Sequence, residues 1–159
     1  INKYNFMIKS KNLIFITLLV FLSNCGYSTV YNSNSDSKIK IILLEMNGNR
    51  EINNKINSGL KKYYSNEAET TFKIKINTIL NKEIISKDTT GKITNYELQA
   101  VSHFQINYNG KNISISFHEK LNIKNIEDSF EQRKYENVVK NNFASSIEEK
   151  LILKLKTLK

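Results

Sequence analysis

The sequence predicts an α+β two-layer sandwich, a four-stranded sheet with two helices packed on one face, in the order β-α-β-β-β-α. Three observations predict it. Two long segments, Thr71 to Leu80 and Ile93 to Tyr108, alternate apolar and polar residues with the period of a strand that has one wet face. Asn109-Gly110 between two alternating runs is a strong short hairpin signal. Val139, Phe143, Ile147, Leu151, Leu155 and Leu158 form a stripe with helical steps of three or four residues. If one sheet face is wet, both helices must cover the other.

The elements follow in chain order. Lys38 to Met46 holds Ile39, Ile41, Ile42, Leu43 and Leu44, a β-branched apolar run that reads as a strand buried on both faces and central in its sheet. Asn47-Gly48-Asn49 ends it. Ile52, Ile56, Leu60, Tyr63 and Tyr64 then recur at helical spacing among lysines, a helix of about four turns. Gly59 lies within it and is expected to mark a close contact with the sheet.

In the second strand Phe72, Ile74, Ile76 and Leu80 share one face, and Lys73, Lys75, Asn77 and Asn81 the other. Ile84 and Ile85 break the alternation, which predicts a bulge. Asp88 to Lys92 is a hairpin turn with Gly91 at the position of positive φ. A two-residue turn at Asn109-Gly110 pairs Ile106 with Ile113, Phe104 with Ile115 and Ser102 with Phe117, so every apolar side chain meets an apolar or small one. Ser129 with Gln132 resembles a capping box opening the last helix, which the stripe extends for about seven turns.

The 159 residues suffice for one domain, and 40% apolar with 25% charged residues fits a globular core. Lys and Arg outnumber Asp and Glu by 24 to 15, yet only Arg50 and Arg133 are arginine. Lys, Asn and Ile crowd the chain and Pro and Trp are absent, the bias of an AT-rich coding sequence. The single cysteine excludes an intrachain disulfide and a cysteine zinc cluster. No phosphate-binding glycine loop, zinc-protease motif or serine nucleophile elbow is present. His103 and His118 fall on the polar face as diagonal neighbours, with no third metal ligand of quality and no acid to orient a triad. Glu148 and Glu149 read as a solvated helix face. No enzyme is expected, no metal, and no nucleic-acid partner.

The amino terminus reads as an address. Lys9 and Lys11 precede the ten uncharged residues Leu13 to Leu22, the length of a secretory core and half that of a spanning helix. Met7 sits just before, so residues 1–24 are expected to be a signal peptide whose start is Met7. Leu22-Ser23-Asn24-Cys25-Gly26 resembles a bacterial lipobox, which implies cleavage before Cys25 and an N-acyl diacylglycerol-modified Cys25 in place of any cofactor. Gly26, where an inner-membrane lipoprotein carries Asp, implies sorting to the outer membrane. Cleavage would leave 21 basic against 15 acidic residues, a net charge of +6 and below the density of a dedicated nucleic-acid binder. Residues 25–37, rich in Ser and Asn, are the lipidated flexible tether, and 38–158 the single domain.

Cys25-Gly26-Tyr27, the element order, Ile56-Asn57-Ser58-Gly59-Leu60, Tyr96-Glu97-Leu98-Gln99 after Gly91, and the ending Leu151 to Leu155 together resemble the lipopolysaccharide-assembly lipoprotein family of the LptE (RlpB) type. The resemblance spans about residues 25–158. It implies a protein held by its lipid on the periplasmic side of the outer membrane, plugging the LptD β-barrel and binding lipopolysaccharide through basic residues near the middle hairpin turn and the start of the last helix. Thr89 and Gln132 stand nearest those positions here. Their neighbours Lys87, Lys92, Arg133 and Lys134 are the candidate lipopolysaccharide-binding residues, and Lys73, Lys75, Lys120 and Lys124 add charge to the wet face. The residues alone leave open a structural accessory of a different envelope machine or a small secreted binding protein.

Overall fold

A computed structural model describes residues 39–64, 68 and 70–158. The expected signal peptide, Cys25 and the expected tether lie outside the described residues. Strands β1 (Ile39–Gly48), β2 (Thr70–Lys87), β3 (Ile93–Tyr108) and β4 (Lys111–Lys124) form one sheet in the order β1-β2-β3-β4. Helix α1 (Arg50–Leu60), extended by a 3₁₀ turn over Lys61–Tyr63, connects β1 to β2, which run parallel; α2 (Ser129–Thr157) follows β4. The other strand pairs are antiparallel. The predicted α+β class and element order hold.

The hairpin register holds as well. Ile106 pairs with Ile113, Phe104 with Ile115 and Ser102 with Phe117. Asn109 and Gly110 take φ of +49° and +75°, the left-handed pair that lets a two-residue turn follow the strand twist. At the other hairpin, Gly91 has φ +84° and the Asp88 carboxylate accepts from the Thr90 and Lys92 amides. The register of β2 against β3 shifts between Ile84 and Ser86, where the broken alternation predicts a bulge.

Phe72, Ile74, Ile76, Leu98, Ala100, Phe104 and Ile106 line the covered face, against Ile52, Ile56 and Leu60 of α1 and Val139, Phe143, Ile147, Leu151 and Leu155 of α2, all buried. A polar thread crosses this core. The Thr78 hydroxyl donates to Asn53 Oδ1 at 2.7 Å and meets Ser102 Oγ at 2.7 Å, and Asn53 Nδ2 donates to the Asn47 carbonyl. The thread ties three strands to the start of α1, where Asn49 caps the helix by accepting from the Ile52 amide. Gly48, at φ +85°, passes the Thr78 carbonyl so closely that a Cβ would stand 2.0 Å from that oxygen.

Four expectations are corrected. β1 is an edge strand and not a central one. Its apolar run serves two purposes: Ile39 and Ile41 are buried, whereas Leu44 is 55% exposed. The first helix is shorter, because its last turn tightens to 3₁₀. Gly59 faces α2, not the sheet; its missing Cβ makes room for the Glu148 carboxylate. The N-cap of α2 is Asp128 instead of Ser129, because its carboxylate accepts from both the Phe130 and Glu131 amides. Gln132 is buried and accepts from the Ile126 amide, holding the loop before the helix.

Candidate functional site

Two polar regions offer chemistry: the molecular end where the β2–β3 turn meets the start of α2, and the uncovered sheet face. At the first, Asn125 closes the gap, its amide donating to the Thr94 carbonyl and its side chain to the Ile93 carbonyl. Lys92 in the turn pairs with Glu127 in the loop before α2. That pairing raises the Lys92 pKa and lowers that of Glu127, each chiefly through their hydrogen bond. The Asp88 carboxyl is held low, first by the Thr90 hydroxyl. The turn and the helix start, far apart in sequence, are therefore neighbours.

Lys87, Arg133 and Lys134 are all exposed at this end. Lys134 lies 3.8 Å from Glu131, an exposed i,i+3 pair. Asp88, Glu127, Asp128 and Glu131 lie in the same two segments as the four bases, so this end carries both signs of charge. Those acids have local work in the turn, in the cap and in ion pairs. Gln132 is turned inward, and besides its bond to the loop it donates to Glu136 Oε1 at 2.7 Å. Thr89 is exposed in the turn.

The uncovered face displays Lys73, Lys75, His103, His118, Lys120 and Lys124, placed by the registers that the alternation predicts. His103 Nδ1 meets Ser116 Oγ at 2.8 Å, across the strand pair. Lys75 pairs with Glu45 at 3.0 Å and Lys120 with Glu97 at 3.6 Å. Glu45 is held low by hydrogen bonds from Asn47 and Lys75 and by the charge of Lys75. A shallow hollow of about 310 Å³ on this face is bordered by Lys73, Lys75, Gln105, Asn107, Asn112 and Leu44. The lining is rich in amides and ammonium groups, groups that donate to sugar hydroxyls and phosphate oxygens. Among the described residues no cluster of three or more His, Cys, Asp or Glu side chains could hold a metal ion. No described helix is long and apolar enough to cross a membrane.

Sequence reasoning missed Glu45, Glu97 and Glu127, whose pairing depends on which strands and loops lie side by side. It also missed Glu136, wedged between α2 and the sheet. Burial raises the Glu136 pKa, but hydrogen bonds from Lys82 and Gln132, with the charges of Lys82 and Lys140, outweigh it and hold the group low.

The geometry defines a class of protein: a small α+β domain with both helices on one sheet face and, among the described residues, an uncovered, cation-bearing face opposite. Its fold is that of rare lipoprotein B, the LptE-like architecture. The crystal structure of rare lipoprotein B from Shewanella oneidensis superposes with a TM-score of 0.56 at 11% identity, over 74% of this chain and 96% of that one. A crystal structure from Caulobacter crescentus CB15 superposes with a TM-score of 0.51 at 12% identity, over 79% of this chain and 92% of the other. At these identities the likeness is one of fold. No protein-family model matches the chain, and no curated protein matches it.

Proposed function

We propose that this protein is a lipid-anchored outer-membrane lipoprotein that plugs the LptD β-barrel from the periplasmic side and assists lipopolysaccharide assembly. The observation that carries the reading is the rare-lipoprotein-B fold in a chain whose only cysteine stands in a sequence that resembles a lipobox. The physics is consistent with it. Acylation of Cys25 contributes about 0.8 kcal/mol per buried methylene, so two or three chains hold the domain at a membrane. A rigid domain with a hydrated sheet face suits the polar lumen of a large barrel. The reading gives the domain a structural task and assigns no catalysis. Lipopolysaccharide carries phosphates, and Lys87, Lys92, Arg133 and Lys134 are the residues proposed to meet them.

Purification of the tagged full chain from detergent-extracted outer membranes tests the partnership. An LptD-type barrel is expected as the main companion, and its absence overturns the plug. In the same cells Cys25→Ser is expected to leave the outer-membrane fraction; unchanged fractionation overturns the anchor.

A further inference from the structure

The hollow on the uncovered face is built from two rows that cross three strands. Lys73, Asn107 and Asn112 stand in register in one row, and Lys75, Gln105 and Ser114 in the next. β1 adds Leu44 to the lining. The pairing of β1 with β2 shifts between Leu43 and Glu45, which leaves Leu44 as an extra residue, 55% exposed at the hollow. An apolar wall thus meets a floor of amide, hydroxyl and ammonium groups. Asn107 Nδ2 donates to Asn112 Oδ1 at 2.8 Å, so Asn107 keeps an acceptor oxygen and Asn112 a donor nitrogen for a guest. Gln105 and Ser114, both exposed, each offer a donor and an acceptor. Adjacent hydroxyls of a sugar ring also donate and accept, so they match this lining, and Leu44 suits the ring's C–H side.

The two lysines of the hollow differ in the charge they offer. Both oxygens of Glu45 are engaged, Oε2 by Lys75 at 3.0 Å and Oε1 by Asn47 Nδ2 at 2.7 Å, so Lys75 is already compensated. No carboxylate pairs with Lys73 among the described residues. The lining therefore presents one uncompensated positive charge. A hexuronate carboxylate carries a single negative charge and matches it. A phosphate monoester carries about −1.5 to −2 at neutral pH and would leave an anion in excess. Size sets a second limit. At about 310 Å³ the hollow stands at the lower end of small-molecule sites, roughly 300–1,000 Å³, which is room for one ring and its charged substituent.

We propose that this hollow is a binding subsite for a single hexuronate ring. Lys73 meets the carboxylate, the amides of Gln105, Asn107 and Asn112 with the Ser114 hydroxyl meet the ring hydroxyls, and Leu44 packs on the C–H side. A free uronic acid and a uronate unit within a polysaccharide share this chemistry. The inference rests on the sheet face alone, and is independent of the barrel reading and of Lys87, Lys92, Arg133 and Lys134 at the far end.

The experiment is saturation-transfer NMR on the full chain in detergent at low salt, with circular dichroism confirming the fold of each variant. The probes are glucuronate and galacturonate, the neutral hexose of each, galactose 6-phosphate, and digalacturonate. The wild type is expected to bind a uronate about fivefold more tightly than its neutral hexose, the worth of one exposed ion pair. Lys73→Ala should remove that preference and Lys73→Arg should keep it, while Asn112→Ala should weaken charged and neutral rings alike. Digalacturonate bound more tightly than galacturonate marks a unit of a polysaccharide, and equal binding marks a free sugar; either supports the subsite. Binding of neither uronate, a uronate preference that survives Lys73→Ala, or tighter binding of the phosphate ester than of the uronates would each overturn the proposal.

Discussion

The two faces of this sheet differ by one residue of phase and by almost everything else. On one side of β2 lie Phe72, Ile74 and Ile76, under two helices; on the other lie Lys73, Lys75 and Asn77, under water. The covered face is closely interlocked. Phe72 stacks on Tyr108 with ring centroids 4.8 Å apart, and Phe104 meets Phe117 at 5.8 Å. The open face is held mainly by exposed cross-strand pairs such as Lys120 with Glu97. The difference teaches that the two faces carry separable loads: the covered face fixes the shape, and the open one is free to vary in sequence without disturbing it.

Mutation can sharpen this contrast. Phe104→Ala and Ile147→Ala remove fully buried side chains, and each is expected to lower unfolding free energy by about 3–5 and 2–5 kcal/mol respectively in a urea titration. A loss no greater than that of an open-face variant would erase the distinction between the faces. Thr78→Val keeps the side chain's shape but breaks the buried thread to Asn53 and Ser102. It should cost about 1–3 kcal/mol, because unpaired buried polar groups remain.

The two interfaces of α2, with the sheet at Glu136 and with α1 at Glu148, should also show opposed pH responses. Glu136, held below the ordinary carboxyl value of 4.5, contributes stability above that value and loses it as pH falls below. Glu148 is raised, first by burial, with Lys62 and Lys55 opposing; its contribution is full below 4.5 and fades as pH rises through the raised value. Glu136→Gln should thus flatten the acid limb of a stability–pH curve, and Glu148→Gln should slightly raise stability at neutral pH. The reverse pattern would show that these two carboxylates sit in each other's environments. The smallest effect belongs to the open face, where Lys73→Ala is expected to change stability by no more than about 0.5 kcal/mol in the same titration.

What the sequence made legible was local and periodic. The period of two separated the faces, Asn109-Gly110 fixed the last hairpin residue by residue, and the stripe from Val139 to Leu155 located the second helix's buried side. What it concealed depended on neighbours distant along the chain. An apolar run such as Ile39 to Leu44 reads the same at a sheet's centre or at its margin, because periodicity counts covered faces and not the strands alongside. Gly59 announced a close approach, but whether to the sheet or to Glu148 of α2 is decided by how the helices cross. Asp128 and Ser129 are both good caps, and the one whose oxygen reaches two amides prevails. The candidate cations were visible as letters. Their acidic companions, Glu127 above all, were not, since the turn and the loop meet only in the folded chain.

The parallel pairing of β1 with β2 also has a temporal side. Each hairpin partner among the later strands lies just around a turn, whereas Ile39 must wait for Thr70, across the whole of α1. Loop-closure entropy favours the nearer meetings, so the three antiparallel strands are set to zip before the first strand is seated. A chain delivered amino end first would hold the apolar run Ile39 to Leu44 in reserve the longest of the four strands, the interval in which a chaperone would find the most to grasp.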